Sequence, residues 1–211
     1  LACGVCGRGN REGAKYCVAC GAPLGPGARP PAHLPPPLTM TIAARTDVGM
    51  ARRLNEDTVY AGEFTSADGA LGTLLLVADG MGGHQAGEVA SALATATVKA
   101  YLTEGLSEGV PADDEAWHAL LRAAVAEANR AVFEQSQQNP AQRGMGTTLT
   151  VAVIAGRRAH LAHVGDSRAY LLNPAGVSGE AVTWLQLTTD HSLVARLVDI
   201  GQLTPEQARV H

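Results

Sequence analysis

Two CxxC pairs, Cys3-x2-Cys6 and Cys17-x2-Cys20, hold all 4 cysteines of the chain. Such a turn lets two thiolates reach one ion, and the glycine after each pair (Gly7, Gly21) relieves the turn and frees amides to point at sulfur. Two of these turns make a closed shell of four thiolates, which suits one structural Zn2+ and leaves no open position for catalysis. Iron or a redox dithiol is the alternative chemistry. A second candidate is Asp79, in LLLVADGMGGHQAGEVAS (74–91), where glycines surround Met81 and His84. A carboxylate fixed at the end of a core strand can hold a hard metal, and a glycine lets its own carbonyl approach the same ion. The plain alternative is a strand–turn–helix junction with a turn aspartate. A third is Arg52-Arg53-Leu54-Asn55-Glu56-Asp57. Guanidinium groups suit an oxyanion such as phosphate, which they bind in a fork. Adjacent carboxylates at a strand entrance point to opposite faces, so at most one aims straight into a given site. Alone, a charged turn of this kind also reads as solvated surface.

Residues 1–24 form the cysteine module, too small for a core of its own, so the metal should provide its fold. Its role is then protein contact, or that of a folded cap. Residues 25–37, GPGARPPAHLPPP, read as a semi-rigid linker with His33 solvated. The main domain spans 38–211. LTMTIAARTDVG alternates like a first strand, and DTVYAGEF is the next. Leu74–Val77 is a buried strand running into Asp79. Helices are expected over 85–105 and 112–138, the second opened by Asp113 and Asp114. Its Trp117, Leu120, Leu121, Ala124, Val125, Ala128 and Val132 recur at helical spacing and read as core, with His118 at the surface. Residues 147–155 and 159–164 form a hairpin. Gly165-Asp166-Ser167 is a turn, RAYLL and VTWLQL are strands, and two short helices follow, the second capped at Thr204-Pro205-Glu206-Gln207.

Composition narrows the class. Hydrophobic residues make up 46% and aromatics 4%, so alanine, valine and leucine must fill the core. A net charge of -4 argues against a protein held to nucleic acid by phosphate contacts. No apolar run approaches the roughly 18 residues of a membrane span. Cysteines confined to one local module fit a reducing, cytoplasmic compartment.

Five blocks, in order, carry a family resemblance: TDVGMARRLNEDTVY, VADGMGGHQAGEVAS, GMGTTLT, HVGDSRAYLL and LTTDHSLV. Together they resemble the bacterial branch of the metal-dependent protein phosphatases, the protein phosphatase 2C-like family, from about Thr41 onward. The resemblance implies an α+β fold, a four-layer α/β/β/α sandwich. It implies hydrolysis of phosphoserine and phosphothreonine in proteins, with two Mn2+ or Mg2+ ions activating water and a third, weaker position. Carried over, Asp79 is the bridging aspartate and Gly80 offers its carbonyl to one ion. Glu56 and Asp57 match the acidic pair beside the metals, acting directly or through water. Arg52 matches the phosphate-binding arginine, and Asp166 the carboxylate of the third position. His84 and His163 are candidates for protonating the leaving oxygen, with a structural role open for each. Thr147 and Thr148 set strand packing, and Asp190 caps the helix of a segment that resembles the family's mobile flap.

The chain also departs from the pattern. Two further metal aspartates and the strands that carry them are expected after His211. Without them, weak metal binding, an unpaired sheet edge and little turnover are expected, and a truncated sequence explains the departure. A non-catalytic phosphoprotein-binding or scaffold protein is the competing reading; another gives the zinc ribbon the defining role as an interaction module. Partners implied by the family are phosphorylated proteins, including bacterial serine/threonine kinases and their substrates.

Overall fold

The structure, a computed structural model, describes residues 3, 9–17, 24, 40–67, 69–82, 86–173 and 183–208. Cys6, Cys20, His84 and the linker lie outside the described residues. Cys3 and Cys17 are both buried.

The sheet grows outward from its most apolar strand. Strand β2 (Leu71–Met81) pairs antiparallel with β1 (Asp57–Thr65) on one side and with β4 (Leu149–Ala155) on the other. β4 continues through a tight turn at Gly156 (φ 60°) into β5 (Arg158–Val164). The order is β1-β2-β4-β5, and the two-residue β3 (Gly146–Thr147) pairs with the far end of β2. Side chains alternate across the pleat. Leu74, Leu76 and Ala78 of β2 and Leu149, Val151 and Val153 of β4 are buried on one face.

That face is covered by α1 (Ala86–Ser107) and α2 (Asp114–Gln138). α1 presents Ala90, Ala94, Val98 and Leu102, small enough near its start for close approach to β2. α2 starts at Asp113, whose Oδ1 accepts from the Ala116 N–H at 2.9 Å. It buries Trp117, Leu121, Ala124, Ala128 and Val132, with Leu120 and Val125 packed beside them, while His118 is exposed. Trp117 stacks on His160 of β5, with ring centroids 4.3 Å apart. Burial of such side chains contributes roughly 1.5–3 kcal/mol each.

Among the described residues no helix covers the opposite face of the sheet, which is partly open, with Val77 44% exposed. Of the four layers implied, the described residues form the helix pair and the sheet beneath it. A second, two-stranded sheet joins β6 (Tyr170–Asn173) to β7 (Thr183–Gln186). α3 (Leu193–Asp199) and α4 (Pro205–Ala208) follow, the latter opened by reciprocal bonds between Thr204 and Gln207. No helix among the described residues is long and apolar enough to cross a membrane.

Two expectations fail. Residues 40–48 form no strand, despite their alternation: among the described residues no strand pairs with them. Asp190 does not cap α3: Ser192 does, its Oγ accepting from the Ala195 N–H at 3.1 Å. Asp190 is engaged elsewhere, as described below.

Candidate active site

The site lies on the helix-free face, where β1 begins and β2 ends. Antiparallel register sets Asp57 directly opposite Asp79. Their carboxyl groups come within hydrogen-bonding reach of each other. Partial burial, and then the Asp57 charge, push the Asp79 carboxyl above the ordinary carboxylate range. Asp166 pushes the same way, and Arg52 pulls back. The residues predicted from separate stretches of sequence, 52, 57, 79 and 166, therefore act on one another in space.

Asp79 is held from both sides of its peptide. Its N–H donates to Thr148 Oγ1 at 2.9 Å, and its carbonyl accepts from the Thr148 N–H at 2.9 Å and from Thr147 Oγ1 at 3.0 Å. Thr148 Oγ1 in turn shares a hydrogen bond with Ser167 Oγ at 2.8 Å. Thr147 and Thr148 thus set strand packing, as expected, and also fix the carboxylate that the site turns on.

Gly80 explains why glycine follows. A Cβ there would meet the Gly87 carbonyl oxygen at 2.0 Å and the Glu56 carbonyl oxygen at 2.7 Å. A Cβ at Gly87 would meet Glu56 Oε1 at 2.6 Å. The end of β2, the start of α1 and the Glu56 backbone share a space that admits no side chain at either position. The Glu56 carbonyl accepts from the Gly80 N–H at 3.1 Å and from Ser91 Oγ at 2.6 Å, and Ser91 also bonds Thr58 at 2.9 Å. Ser91 had no signature in the sequence; a serine among alanines on a helix is too common a pattern.

Glu56, just before β1, and Asp57, its first residue, meet different partners. Asp57 faces Asp79, whereas Glu56 packs against Gly87 and accepts from Arg52 Nη1 at 2.8 Å. Its carboxylate is 14% exposed and the Arg52 side chain 69%. Glu56 therefore anchors the arginine, leaving the rest of that guanidinium toward solvent beside the acidic pair. Arg53, its neighbour, is exposed. Asp57 is steadied by its N–H donating to Asn55 Oδ1 at 3.0 Å.

His163 is not placed to donate a proton to substrate. Its Nε2 faces the Gly165 carbonyl at 2.9 Å, so it carries hydrogen, and its Nδ1 lies 2.9 Å from Thr150 Oγ1. Both ring nitrogens are committed to the sheet and the turn.

The donors around Asp79 are all oxygen, which suits a hard divalent cation such as Mn2+ or Mg2+. Mutual repulsion between Asp57 and Asp79 is what a cation relieves, so the residues present fit one. Among the described residues, no three His, Cys, Asp or Glu side chains close around a single point. A centre of two carboxylates, with waters and substrate oxygens completing the shell, matches the way Mg2+ is commonly held.

The protein phosphatase 2C family model matches residues 53–187. The chain is 44% identical over 174 residues to the serine/threonine protein phosphatase PstP of Mycobacterium tuberculosis, covering 82% of this chain and 29% of that protein. It is 40% identical over 172 residues to the protein phosphatase PhpP of Streptococcus pneumoniae, covering 82% of this chain and 63% of that one. The chain thus spans less than two thirds of either relative. Among solved structures, that of Mycobacterium tuberculosis PstP matches with a TM-score of 0.64 at 43% identity, over 80% of this chain and 62% of that one. The PstP catalytic domain in complex with two manganese ions matches with a TM-score of 0.61 at 44% identity, over 79% and 62%. With the paired aspartates and the glycine turn both within the residues the family model matches, the chain belongs to the protein phosphatase 2C family.

Proposed function

We propose that this chain carries the active-site half of a metal-dependent serine/threonine protein phosphatase. The observation that carries the reading is the Asp57–Asp79 pair, two carboxyl groups set directly opposite each other by strand register. Asp57, Asp79 and the Gly80 carbonyl would hold Mn2+ or Mg2+, with Asp166 contributing to a weaker position. A bound divalent ion supplies charge neutralisation and makes water a usable nucleophile near neutral pH. Arg52 orients the phosphate by a guanidinium fork, its other edge pinned by Glu56. Thr147 and Thr148 hold the Asp79 backbone still while charge develops. His84 is the candidate for returning a proton to the leaving oxygen. Substrates are phosphorylated proteins, with serine/threonine kinases and their targets as the plausible class.

Cys3, Cys6, Cys17 and Cys20 form a zinc ribbon in this reading, attached through the linker. Its support is the burial of Cys3 and Cys17 and the Asn10 amide directed at Cys17 Sγ at 3.6 Å. One zinc per chain by elemental analysis, lost on replacing Cys17 with serine, is the expected result.

A second reading keeps the fold as a phosphoprotein-binding scaffold; the similarity to serine/threonine protein phosphatases favours catalysis over it. The test is Mn2+-dependent phosphate release from a phosphothreonine peptide, wild type against Asp79→Asn. Release that needs both the ion and Asp79 supports the phosphatase. Release that survives Asp79→Asn contradicts it, and peptide binding without release supports the scaffold.

A further inference from the structure

Asp166 sits in a turn that little of its own sequence explains. Gly165 has φ 108°, and a Cβ there would meet Thr148 Cβ at 2.7 Å and Cα at 3.1 Å, so the turn is pressed onto the residue that joins β3 to β4. From the other side it is gripped by residues 188–191. The His191 N–H donates to the Gly165 carbonyl at 2.7 Å, and the Gly165 N–H donates to His191 Nδ1 at 3.4 Å. Just past the turn, Arg168 makes a fork on Asp190: Nε to Oδ1 at 2.9 Å and Nη2 to Oδ2 at 2.6 Å. Gln186 donates to the Thr188 carbonyl at 2.8 Å and reaches Asp190 Oδ1 at 3.4 Å, and the Ala169 N–H donates to Thr188 Oγ1 at 3.2 Å. The Asp190 side chain is only 15% exposed. Between the two grips lie Asp166 and Ser167, and Ser167 bonds the same Thr148 hydroxyl that receives the Asp79 N–H.

We infer that Arg168, Asp190 and His191 are positioning residues: they clip the 188–191 segment onto the Gly165–Ser167 turn and thereby hold Asp166 toward the Asp57–Asp79 pair. The inference rests on reading Asp166 as a carboxylate of the metal site. A bidentate fork fixes orientation as well as distance, so it constrains the turn in a way a single ion pair does not. Groups that orient metal-site residues in this manner typically change metal affinity by about 10–100-fold when removed. The residue that matters lies 22 positions from its partner, across the β6–β7 hairpin.

The experiment is calorimetric titration of the full chain with Mn2+, joined to amide exchange at Gly165 and His191. The variants are Asp190→Asn, Arg168→Lys, Asp166→Asn, Asp79→Asn and the double variant Asp166→Asn/Asp190→Asn. Asp190→Asn should weaken Mn2+ binding at least about tenfold and speed exchange at both amides. Arg168→Lys, which keeps the charge and loses the fork, should fall between it and the wild type. On the Asp166→Asn background, Asp190→Asn should cost nothing more. Mn2+ binding within about twofold of wild type in Asp190→Asn, or a loss that adds in full to that of Asp166→Asn, overturns the inference. A lowered melting temperature with an unchanged titration does the same, since that is a purely structural role. Should Asp190→Asn fail to fold, Arg168→Lys decides on the same criteria. If Asp79→Asn and Asp166→Asn lose the ion while Asp190→Asn does not, only the clip falls. If Asp79→Asn titrates like wild type, the reading of the site falls and takes the inference with it.

Discussion

Asp79 and Asp190 are both aspartates on strand ends or just beyond them, and the fold treats them in opposite ways. Asp190 is met by an arginine fork, which holds its carboxyl below the ordinary range. Asp79 is met by partial burial and by Asp57, which raise its carboxyl. The Asp190 carboxylate is met by a fork within the chain; the Asp79 carboxyl stays raised even with Arg52 pulling the other way, and a bound cation would relieve it. The difference separates a group used to hold structure from a group kept for chemistry, and it does so without reference to either residue's neighbours in sequence.

The comparison breaks most visibly through backbone. Gly80→Ala places a Cβ against two main-chain carbonyls, neither of which can move without shifting α1 or β1. It should lower stability by about 1–3 kcal/mol or more and abolish the Mn2+ response, measured by urea unfolding with and without the ion. Glycine to alanine at Gly69, where nothing lies within 4 Å, is the control for strain at positive φ alone (78°).

The paired aspartate gives the next effect. Asp190→Asn should cost about 1 kcal/mol at neutral pH, a figure held low because Arg168 is half exposed. Because the folded-state pKa of Asp190 is depressed, its contribution is present above the unfolded value near 3.9 and is lost as pH falls through the folded one. The gap between wild type and Asp190→Asn in an acid titration of stability should therefore close below about pH 4.

For Asp79 the sign reverses. A carboxyl whose folded pKa is raised costs stability once pH rises through the carboxylate range and costs nothing when both states are protonated. Without metal, Asp79→Asn should be as stable as wild type or more so at pH 7, by some tenths of a kcal/mol. That advantage should vanish toward pH 3, followed by thermal unfolding across the range. The smallest stability effect belongs to Arg52→Ala, within about 1 kcal/mol because the pair is at the surface, but KM for a phosphopeptide should rise.

The strand–turn–helix around Asp79 was legible because an apolar run, a carboxylate and a glycine cluster are each local signals. The α2 core was legible through helical spacing. What escaped depends on contacts between distant residues. Nothing near Thr148 or Ser91 announces that their hydroxyls hold Asp79 and the Glu56 carbonyl. Asp190 reads as a helix cap because the cap lies two residues on, at Ser192, and the sequence cannot say which polar side chain turns inward. The strand expected from Leu38 illustrates the converse: alternation licenses a strand only if a partner edge is present. His163 looked available for proton transfer until the structure placed an acceptor on one nitrogen and a hydroxyl on the other.

The central claim is that Asp57 and Asp79 form a cation site that the chain keeps electrostatically unsatisfied. The most direct measurement is the melting temperature of wild type and Asp79→Asn at pH 7, each with and without Mn2+. The account predicts that Mn2+ raises the wild-type value and leaves that of Asp79→Asn unchanged, while the metal-free variant melts no lower than the metal-free wild type. An equal Mn2+ shift in both proteins, or a metal-free variant clearly less stable than wild type, would contradict it.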